Sequence, residues 1–517
     1  MRPHAFKDVA LLACVLLWLG CTGWLRPLTL PDEGRYASVA WAMLSSGDWL
    51  TPALNGLPFF HKPPLFYWIT AASLGLFGMN EWAARLASLL GAVAACASIW
   101  LLVRRWATPA AARWTVLALV AQPLFFMGAQ FANLDMLLAG CVTATICLLA
   151  HVALTLREGR SARGALALAW GFAALGVLAK GLIGFVLPTL VVGIWLLAGG
   201  QWRIVFRLLS VSGVVLFAAL TVPWFTAMQL RFPDFLHYFI VVQHFQRFAQ
   251  TGFNNVQPFW FFPAALGLLA LPWSVWPVAR ARDSWLMRSW WLAPGPRGAL
   301  RQLAVAWLLA IVVFFSLPQS KLVGYVLPAA PPLAFLVADM IESVLAQGRW
   351  RRLALGSVAI GALLCIVAAV VSARVDNRSL KGLGQALGAL RQPHEPVVFM
   401  KNFYYDVAFY ARLDEPSLVV DDWADPALTH RDNWRKELVD AQQFASKGAA
   451  NVLLQRSQLP ARLCQGRAGQ VWLVGPIGLL KDDPLLAGAT EVTRAGNTVL
   501  WRLPAAPACA GQPGPAR

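Results

Sequence analysis

About twelve apolar blocks, each of roughly 17–25 residues, fill the first 373 residues of the chain, and this is the length that a helix needs to cross a bilayer. Hydrophobic residues make up 58% of the 517 residues, whereas a soluble core of this length would be near half apolar. The pattern predicts a polytopic α-helical membrane protein. The blocks lie near residues 9–29, 63–79, 82–103, 113–130, 134–155, 164–180, 182–199, 208–228, 259–279, 302–318, 322–340 and 353–373.

The net charge of +18 does not indicate nucleic-acid binding, because most Lys and Arg residues lie in short loops between the apolar blocks. Such a distribution is typical of cytoplasmic loops. If block 63–79 lies along the interface, every Arg-rich loop falls on one side, which predicts about eleven crossings with a cytoplasmic N-terminus. Further paired crossings would keep this orientation, so about eleven to thirteen helices are expected. The N-terminal apolar run resembles a signal peptide but is expected to be an uncleaved first helix, because more spans follow.

The composition changes near residue 374, where short apolar runs begin to alternate with amphipathic stretches. Strands are predicted near 395–400, 417–420, 450–454 and 471–475, with helical stretches near 402–411, 424–445 and 456–468. We therefore predict a membrane domain at 1–373 with a first outer loop at 30–80, and a small α/β domain at 374–503 on the periplasmic side. The Pro/Ala/Gly-rich tail at 504–517 is predicted to be disordered.

The first outer loop concentrates ionisable side chains in a chain where only 13% of residues are charged. Ionisable groups clustered at a bilayer edge indicate a functional site. Asp32 and Glu33 directly follow an apolar block, where a carboxylate can orient or deprotonate a nucleophile or stabilise an oxocarbenium-like sugar. The alternative is that Asp32 caps the helix that follows and Glu33 interacts with its dipole.

Asp135 stands nearly alone in apolar sequence, where burial is costly without a partner, so we favour a catalytic role over a helix cap. Lys62 lies between two Phe and two Pro residues, which restrict the backbone around it. A fixed ammonium at headgroup level suits a lipid phosphate, although a snorkelling Lys is an equal alternative.

Two later outer segments carry further donors that suit a phosphate. Lys321 and Tyr325 are four residues apart and would share a helix face, with an aromatic-belt Tyr and a terminal Lys as the alternative. Arg247 can grip a phosphate bidentately and lies three residues after His244. His61 and His244 are candidate ligands of a divalent metal such as zinc, but two histidines without a third ligand are a weak signal.

Five stretches carry a family resemblance. The stretches, in this order and spacing, are LPDEGRYASVAWAMLSSGDWLTPALNGLPFFHKPPLFYW, FANLDMLLAG, GVLAKGLIG, QHFQRF and PQSKLVGYVLP. They resemble the bacterial branch of the protein-mannosyltransferase superfamily, in particular the ArnT-like aminoarabinose transferases that modify lipid A. The resemblance covers about residues 8–340; the C-terminal domain matches in position and general type.

The resemblance implies a GT-C glycosyltransferase of the bacterial inner membrane, with an undecaprenyl-phosphate-sugar donor and a reaction on the periplasmic face. It places Asp32 and Asp135 at the family's catalytic acids and Lys62, Arg247 and Tyr325 at the residues that hold the lipid phosphate. His244 matches a metal-site histidine of the family. His61 stands where relatives have a Glu that binds zinc, so a metal site is in doubt and the sugar or acceptor can differ.

The function expected from the resemblance is transfer of an aminoarabinose-type sugar to lipid A. Within the same class, mannose or a uronic acid transferred to protein or another glycan is the alternative. A transporter or flippase of lipid-linked sugars would place charges near mid-membrane and show internal symmetry, and neither feature is visible in the sequence. A membrane-anchored binding protein would need only one span.

Overall fold

The computed structural model describes residues 3–246, 255–281, 287, 290, 293–345, 350–375, 379–429, 433–445, 451–464, 470–481 and 488–504. Helices form the first three quarters of the chain and a mixed sheet follows. The helices of the first part are α1 Pro3–Gly20, α2 Asp32–Ser46, α3 Leu65–Phe77, α4 Glu81–Trp106, α5 Pro109–Val120, α6 Pro123–Ala129, α7 Leu134–Arg157, α8 Arg163–Lys180, α9 Ile183–Ala198, α10 Trp202–Leu208, α11 Val211–Arg231, α12 Phe261–Leu269, α13 Val275–Ala279, α14 Gly295–Ser316, α15 Ala330–Leu345 and α16 Arg351–Val375. A π-helix, His237–Gln246, and a 3₁₀-helix, Val323–Ala329, complete this part.

Seven helical segments of the described chain are long and apolar enough to cross a membrane, or eight if α5 and α6, bent by 71°, form one broken span. The polytopic α-helical fold is therefore confirmed. The predicted eleven crossings are reached only if α1, α9 and the broken segment α12–α13 also cross, so the number of spans stays a prediction. At 13 residues, α3 is about 20 Å long, too short for a hydrocarbon core of about 30 Å, which agrees with an interfacial position.

Small residues bring the central helices close together. A Cβ on Gly140 of α7 would lie 2.2 Å from the carbonyl oxygen of Gly91 in α4, so only glycine allows this approach. Gly176 and Gly184 make a similar contact between α8 and α9. Because α7 and α8 are antiparallel neighbours, the start of α7 and the end of α8 lie at the same end of the bundle. We call this the outer end, and the opposite end carries the Arg-rich loops.

The C-terminal domain is a six-stranded sheet with the strand order β5-β4-β3-β6-β8-β7. Its strands are β3 Val397–Met400, β4 Leu418–Val420, β5 Leu453–Leu454, β6 Gln470–Pro476, β7 Thr490–Ala495 and β8 Thr498–Pro504, and its helices are α17 Lys381–Leu390, α18 Tyr405–Tyr410, α19 Trp434–Gln443 and α20 Leu459–Cys464. The first four strands are parallel and lie where the sequence predicts them. The antiparallel pair β7–β8 was missed, because no residue of β7 is buried and exposed residues interrupt the end of β8, so both give a weaker signal than the fully apolar runs.

The predicted domain boundary at residue 374 falls in the last turn of α16, which ends at Val375. The predicted disordered tail 504–517 lies outside the described residues, apart from Pro504 at the end of β8. The predicted boundaries themselves stay predictions.

The first outer loop lies between the membrane helices and the C-terminal domain. It contains α2, α3 and a short hairpin of β1 Ala53–Leu54 and β2 Leu57–Pro58. On α2, Ser38 Oγ donates to the carbonyl oxygen of Tyr405 at 2.8 Å. In the hairpin turn, the Asn55 side chain exchanges two hydrogen bonds of 2.8 Å with the backbone of Ser417. The loop and the domain share one hydrophobic core, so residues of the two parts hold fixed positions relative to each other.

Candidate active site at the outer end

The acidic pair begins α2, and its two carboxylates have different surroundings. Consecutive residues of an α-helix point about 100° apart, so they cannot share one environment. Glu33 is fully buried, whereas the side chain of Asp32 is 30% exposed. The two residues therefore have separate roles.

Glu33 joins the first loop to the helix bundle. Its Oε1 accepts from Arg85 Nε at 2.8 Å and from the backbone N–H of Ala132 at 2.7 Å. Its Oε2 accepts from Arg26, from a second Arg85 nitrogen at 2.9 Å and from the backbone N–H of Thr29 at 2.9 Å.

Burial alone would raise the pKa of Glu33, but Arg85 and Arg26 outweigh it and lower this pKa from 4.5 to about 2. Both oxygens are occupied and water is excluded, so the contacts argue against the predicted catalytic role of Glu33. They indicate that Glu33 stabilises the fold.

Asp32 pairs with a cation of its own helix. Its Oδ1 accepts from Arg35 at 2.5 Å, and Arg35 also pairs with Glu437 on α19 of the C-terminal domain. Burial raises the pKa of Asp32, Arg35 and Lys180 lower it, and the negative charges of Asp135 and Glu437 raise it; the net shift is upward. The four charged neighbours thus act on one carboxylate, so the first loop, the bundle and the C-terminal domain contribute to a single site.

Asp135 and Lys180 form the bundle side of this site. Asp135 lies in the first turn of α7 and is 5% exposed, and its Oδ1 pairs with Lys180 Nζ at the end of α8. The same ammonium lies 4.4 Å from the ring centroid of Tyr325, a cation–π contact. A Cβ on Gly324 would lie 2.3 Å from Asp135 Oδ2, so the 3₁₀-helix packs directly against the carboxylate. The structure therefore brings together Asp135 and Tyr325, which the sequence predicted separately.

The other predicted phosphate ligands have different positions. Lys62 is half-buried, directly before Pro63-Pro64 and the start of α3. Lys321 is 3% exposed and donates from Nζ to the carbonyl oxygens of Gln257 at 2.8 Å and Pro318 at 2.6 Å, which argues for a structural role rather than phosphate binding. Arg247 lies outside the described residues.

His61 takes part in a polar network instead of a recognisable metal site. Its Nε2 is 2.9 Å from the hydroxyl of Tyr238, which also lies 3.2 Å from Asp440 Oδ2 on α19. Among the residues that the structure describes, no group of three His, Cys, Asp or Glu side chains is placed to hold a metal ion. His244 belongs to the π-helix, but its side chain is outside the description. The described residues therefore do not fit a zinc site.

Sequence reasoning assigned no role in the site to four of its charged or polar members: Arg35, Lys180, Glu437 and Tyr238. The sequence could have identified Lys180, because it is the only charged residue from Gly164 to Gln201. Glu437 had none, because its contact with Arg35 joins residues 402 positions apart. Only the docking of the C-terminal domain reveals it.

Comparisons with known proteins identify relatives of the chain. Residues 61–226 match the family described as dolichyl-phosphate-mannose-protein mannosyltransferase. The chain is 30% identical over 417 residues to the undecaprenyl phosphate-alpha-4-amino-4-deoxy-L-arabinose arabinosyl transferase of Pectobacterium carotovorum, a match that covers 78% of this chain and 71% of that protein. The protein of the same name from Shewanella sediminis is 32% identical over 69% of this chain, and the match spans only 63% of its own length.

The fold is also similar to solved structures. The crystal structure of ArnT from Cupriavidus metallidurans bound to undecaprenyl phosphate superposes with a TM-score of 0.78 and 26% identity, covering 96% of this chain and 98% of that one. The archaeal oligosaccharyltransferase AglB from Archaeoglobus fulgidus, at a TM-score of 0.54 and 13% identity, shares the fold alone. As its sequence motifs predict, the chain belongs to the undecaprenyl phosphate-aminoarabinose arabinosyl transferase family of GT-C membrane proteins.

Proposed function

We propose that the protein is a glycosyltransferase that moves an aminoarabinose-type sugar from undecaprenyl phosphate to lipid A. The observation that carries the proposal is the meeting of Asp32, Arg35 and Glu437 with Asp135 and Lys180 at the outer end of the bundle. Carboxylates beside cations at a lipid–water boundary suit transfer of a sugar from a lipid phosphate. The names of the relatives and the undecaprenyl phosphate bound in the related ArnT structure support this donor.

In the proposed reaction, the acceptor oxygen forms a bond to the anomeric carbon while the bond from that carbon to the donor phosphate oxygen breaks. Undecaprenyl phosphate leaves with the electron pair. Lys62, Arg247 and Tyr325 are proposed to hold the phosphate, and cations there stabilise the charge that develops on the leaving oxygen.

The acceptor determines what the carboxylates do. A lipid A phosphate is already ionised and needs no general base, so Asp32 and Asp135 would orient it or stabilise the positive charge on the sugar. A hydroxyl acceptor must lose its proton, and Asp32, whose pKa is raised, is the better placed base because its side chain is partly exposed.

We further propose that the site faces the periplasm from the bacterial inner membrane. The outer end carries the site and the C-terminal domain, whereas α7 ends at Arg157 and α8 begins at Arg163 at the other end. Basic residues in short loops favour the cytoplasmic side. The remaining proposed partners are membrane lipids, and no nucleic acid is expected.

The test is transfer of a radiolabelled sugar from undecaprenyl phosphate in membranes that contain the wild type, Asp32→Asn or Asp135→Asn. We expect label to reach lipid A with the wild type and to fall by at least about 100-fold in either variant, the loss typical of a missing electrostatic partner in the transition state. If label from a mannose or uronic acid donor reaches protein or another glycan instead, the proposed acceptor would be wrong but the proposed site would stand. Undiminished transfer in both variants would refute the site.

A flippase of lipid-linked sugars is the rival from another class. It predicts that labelled donor crosses the bilayer without cleavage of the sugar–phosphate bond. Liposomes with the purified protein and donor on one side distinguish the two, because only a transferase releases undecaprenyl phosphate when acceptor is added.

A further inference from the structure

Three separate parts of the chain meet at the hydroxyl of Tyr238. The residue lies in the π-helix and is 9% exposed. His61 of the first loop is 2.9 Å away, Gln243 donates to the hydroxyl at 3.0 Å, and Asp440 of the C-terminal domain is 3.2 Å away. Local π-helical turns often occur at functional sites, which makes this junction a candidate.

We infer that Tyr238 is a positioning residue that fastens the first outer loop to the π-helix and the C-terminal domain, and so holds Lys62 towards the donor phosphate without a metal ion. The inference rests on the proposed function for the role of Lys62. In this chain, a hydrogen-bond network would hold the first outer loop where the family resemblance implies a zinc site.

The direction of each hydrogen bond follows from counting protons. A hydroxyl has one proton to donate, and the Asp440 carboxylate can only accept it. Asp440 also accepts from Lys436 Nζ at 2.8 and 2.9 Å, so this carboxylate is the acceptor in both contacts. The Tyr238 oxygen must then accept from Gln243 and from His61, so His61 carries a proton on Nε2.

With its proton on Nε2, that nitrogen has no lone pair to give to a metal, so a metal could bind His61 only through Nδ1. The described residues form no group of three His, Cys, Asp or Glu side chains that could hold it there. The His61 ring also stacks on Phe59, with 4.5 Å between centroids and 16° between planes, which fixes its orientation. The junction is therefore formed by side chains that hold each other in place.

Aromatic packing surrounds the polar junction. Phe444, just after α19, contacts Phe60 at 4.7 Å and Tyr238 at 5.2 Å between ring centroids, so it bridges the same three segments. Low polarity around the junction strengthens its hydrogen bonds. Lys62 directly follows His61 and precedes two prolines, so its backbone has little freedom once His61 is held.

Tyr238→Phe tests the inference, because it removes the hydroxyl and keeps the ring that packs on Phe444. We expect the KM for the lipid-linked donor to rise about tenfold, as for loss of a buried hydrogen bond to a charged group, while kcat stays within about twofold. The matched control is Tyr67→Phe. Tyr67 is buried on α3, and its hydroxyl has no hydrogen-bond partner among the described residues, so the KM should not change.

Non-additivity separates a positioning role from simple loss of stability. If the network acts as a unit, Asp440→Ala and Tyr238→Phe each raise the KM, and the double variant is no worse than the more severe single one. Multiplying effects, or an unchanged KM in Tyr238→Phe with only a lower Tm, would overturn the inference.

Two further measurements do not depend on the sugar or the acceptor. Undecaprenyl phosphate alone should raise the Tm of the wild type, and this rise should be smaller in Tyr238→Phe at the same lipid concentration. Metal analysis of purified protein should find well under one zinc per chain, with the lipid-induced Tm rise unaffected by EDTA. One zinc per chain that is lost in His61→Ala would refute the metal-free junction, whether or not aminoarabinose is the sugar transferred.

Discussion

Glu33→Gln tests whether the buried carboxylate stabilises the fold or performs chemistry. The substitution keeps the shape of the side chain and removes its charge. Two guanidinium groups, those of Arg26 and Arg85, then remain buried without a counter-charge. The amide nitrogen would also face donors, because both carboxylate oxygens accept only from N–H groups.

The loss in free energy of unfolding that Glu33→Gln causes can be worked out in two ways. The pKa of Glu33, lowered from its ordinary 4.5 to about 2, corresponds to about 3 kcal/mol in favour of the ionised folded form. Breaking a buried ion pair by removing one partner typically costs about 3–5 kcal/mol. Both values are a large part of the stability of an ordinary domain, so we expect a Tm lower by many degrees.

The same pKa sets a pH window. Since the folded-state pKa of Glu33 lies below its unfolded value, the stabilisation is complete above pH 4.5 and is lost as the pH falls towards about 2. The wild type should lose stability in this window, and Glu33→Gln should lose less, because it has no carboxylate to protonate.

The assay is thermal unfolding of detergent-purified protein, followed by the fluorescence of its 25 Trp residues, beside sugar transfer. Asp32→Asn is the matched control, because it removes a neighbouring charge whose side chain is 30% exposed. We expect this control to lose transfer and keep its Tm within about two degrees, as for most changes outside the core. If Glu33→Gln instead kept its Tm and lost transfer, Glu33 would be catalytic and the reasoning from its contacts would be wrong.

Three further predictions concern the site itself. Gly324→Ala should lower transfer, since the added Cβ would lie 2.3 Å from Asp135 Oδ2 and must displace it; Gly356→Ala, where nothing lies within 4 Å, is the control, and equal transfer rates would contradict the contact. If Asp32 acts in its ionised form, kcat should rise with pH around the raised pKa of Asp32, which lies above the ordinary 3.8. A pH–rate profile that stays flat down to pH 4 would disprove this. Glu437→Gln should remove the ion pair with Arg35 and reduce transfer from the radiolabelled donor by about tenfold or more. Full activity would show that the C-terminal domain contributes no charge to the reaction.

The sequence predicts the architecture well where one physical signal dominates. Apolar length identifies the membrane helices, and continuous apolar runs identify the parallel strands β3 to β6. The same signals fail where length is marginal: α9 has 16 residues and α5–α6 bends by 71°, so neither is a single straight helix of the usual spanning length.

The site is predictable only in part, for a different reason. Asp135 was recognisable because a lone carboxylate in apolar sequence must have a partner, and the structure gives it Lys180. No local pattern reveals Glu437 or Asp440, since both reach the site through a domain whose docking depends on contacts such as Ser38 with the backbone of Tyr405. Lys321 was grouped with the phosphate donors because spacing indicates that it shares a face with Tyr325. Spacing does not show that its ammonium donates to two backbone carbonyl groups.

Asp32 and Glu33 show why adjacent residues of one type need not share a role. The first turn of α2 gives them directions about 100° apart, and the bundle lies on one side of the helix only. On that side Arg85 and Arg26 make an ionised carboxylate stable, and the pKa falls; on the other side burial and nearby carboxylates outweigh Arg35, and the pKa rises. A carboxylate whose two oxygens are fully hydrogen-bonded to the protein cannot also contact a substrate. We therefore propose that Asp32, which has the weaker set of partners, acts on the sugar, and that Glu33, which has the stronger set, holds α2 in place.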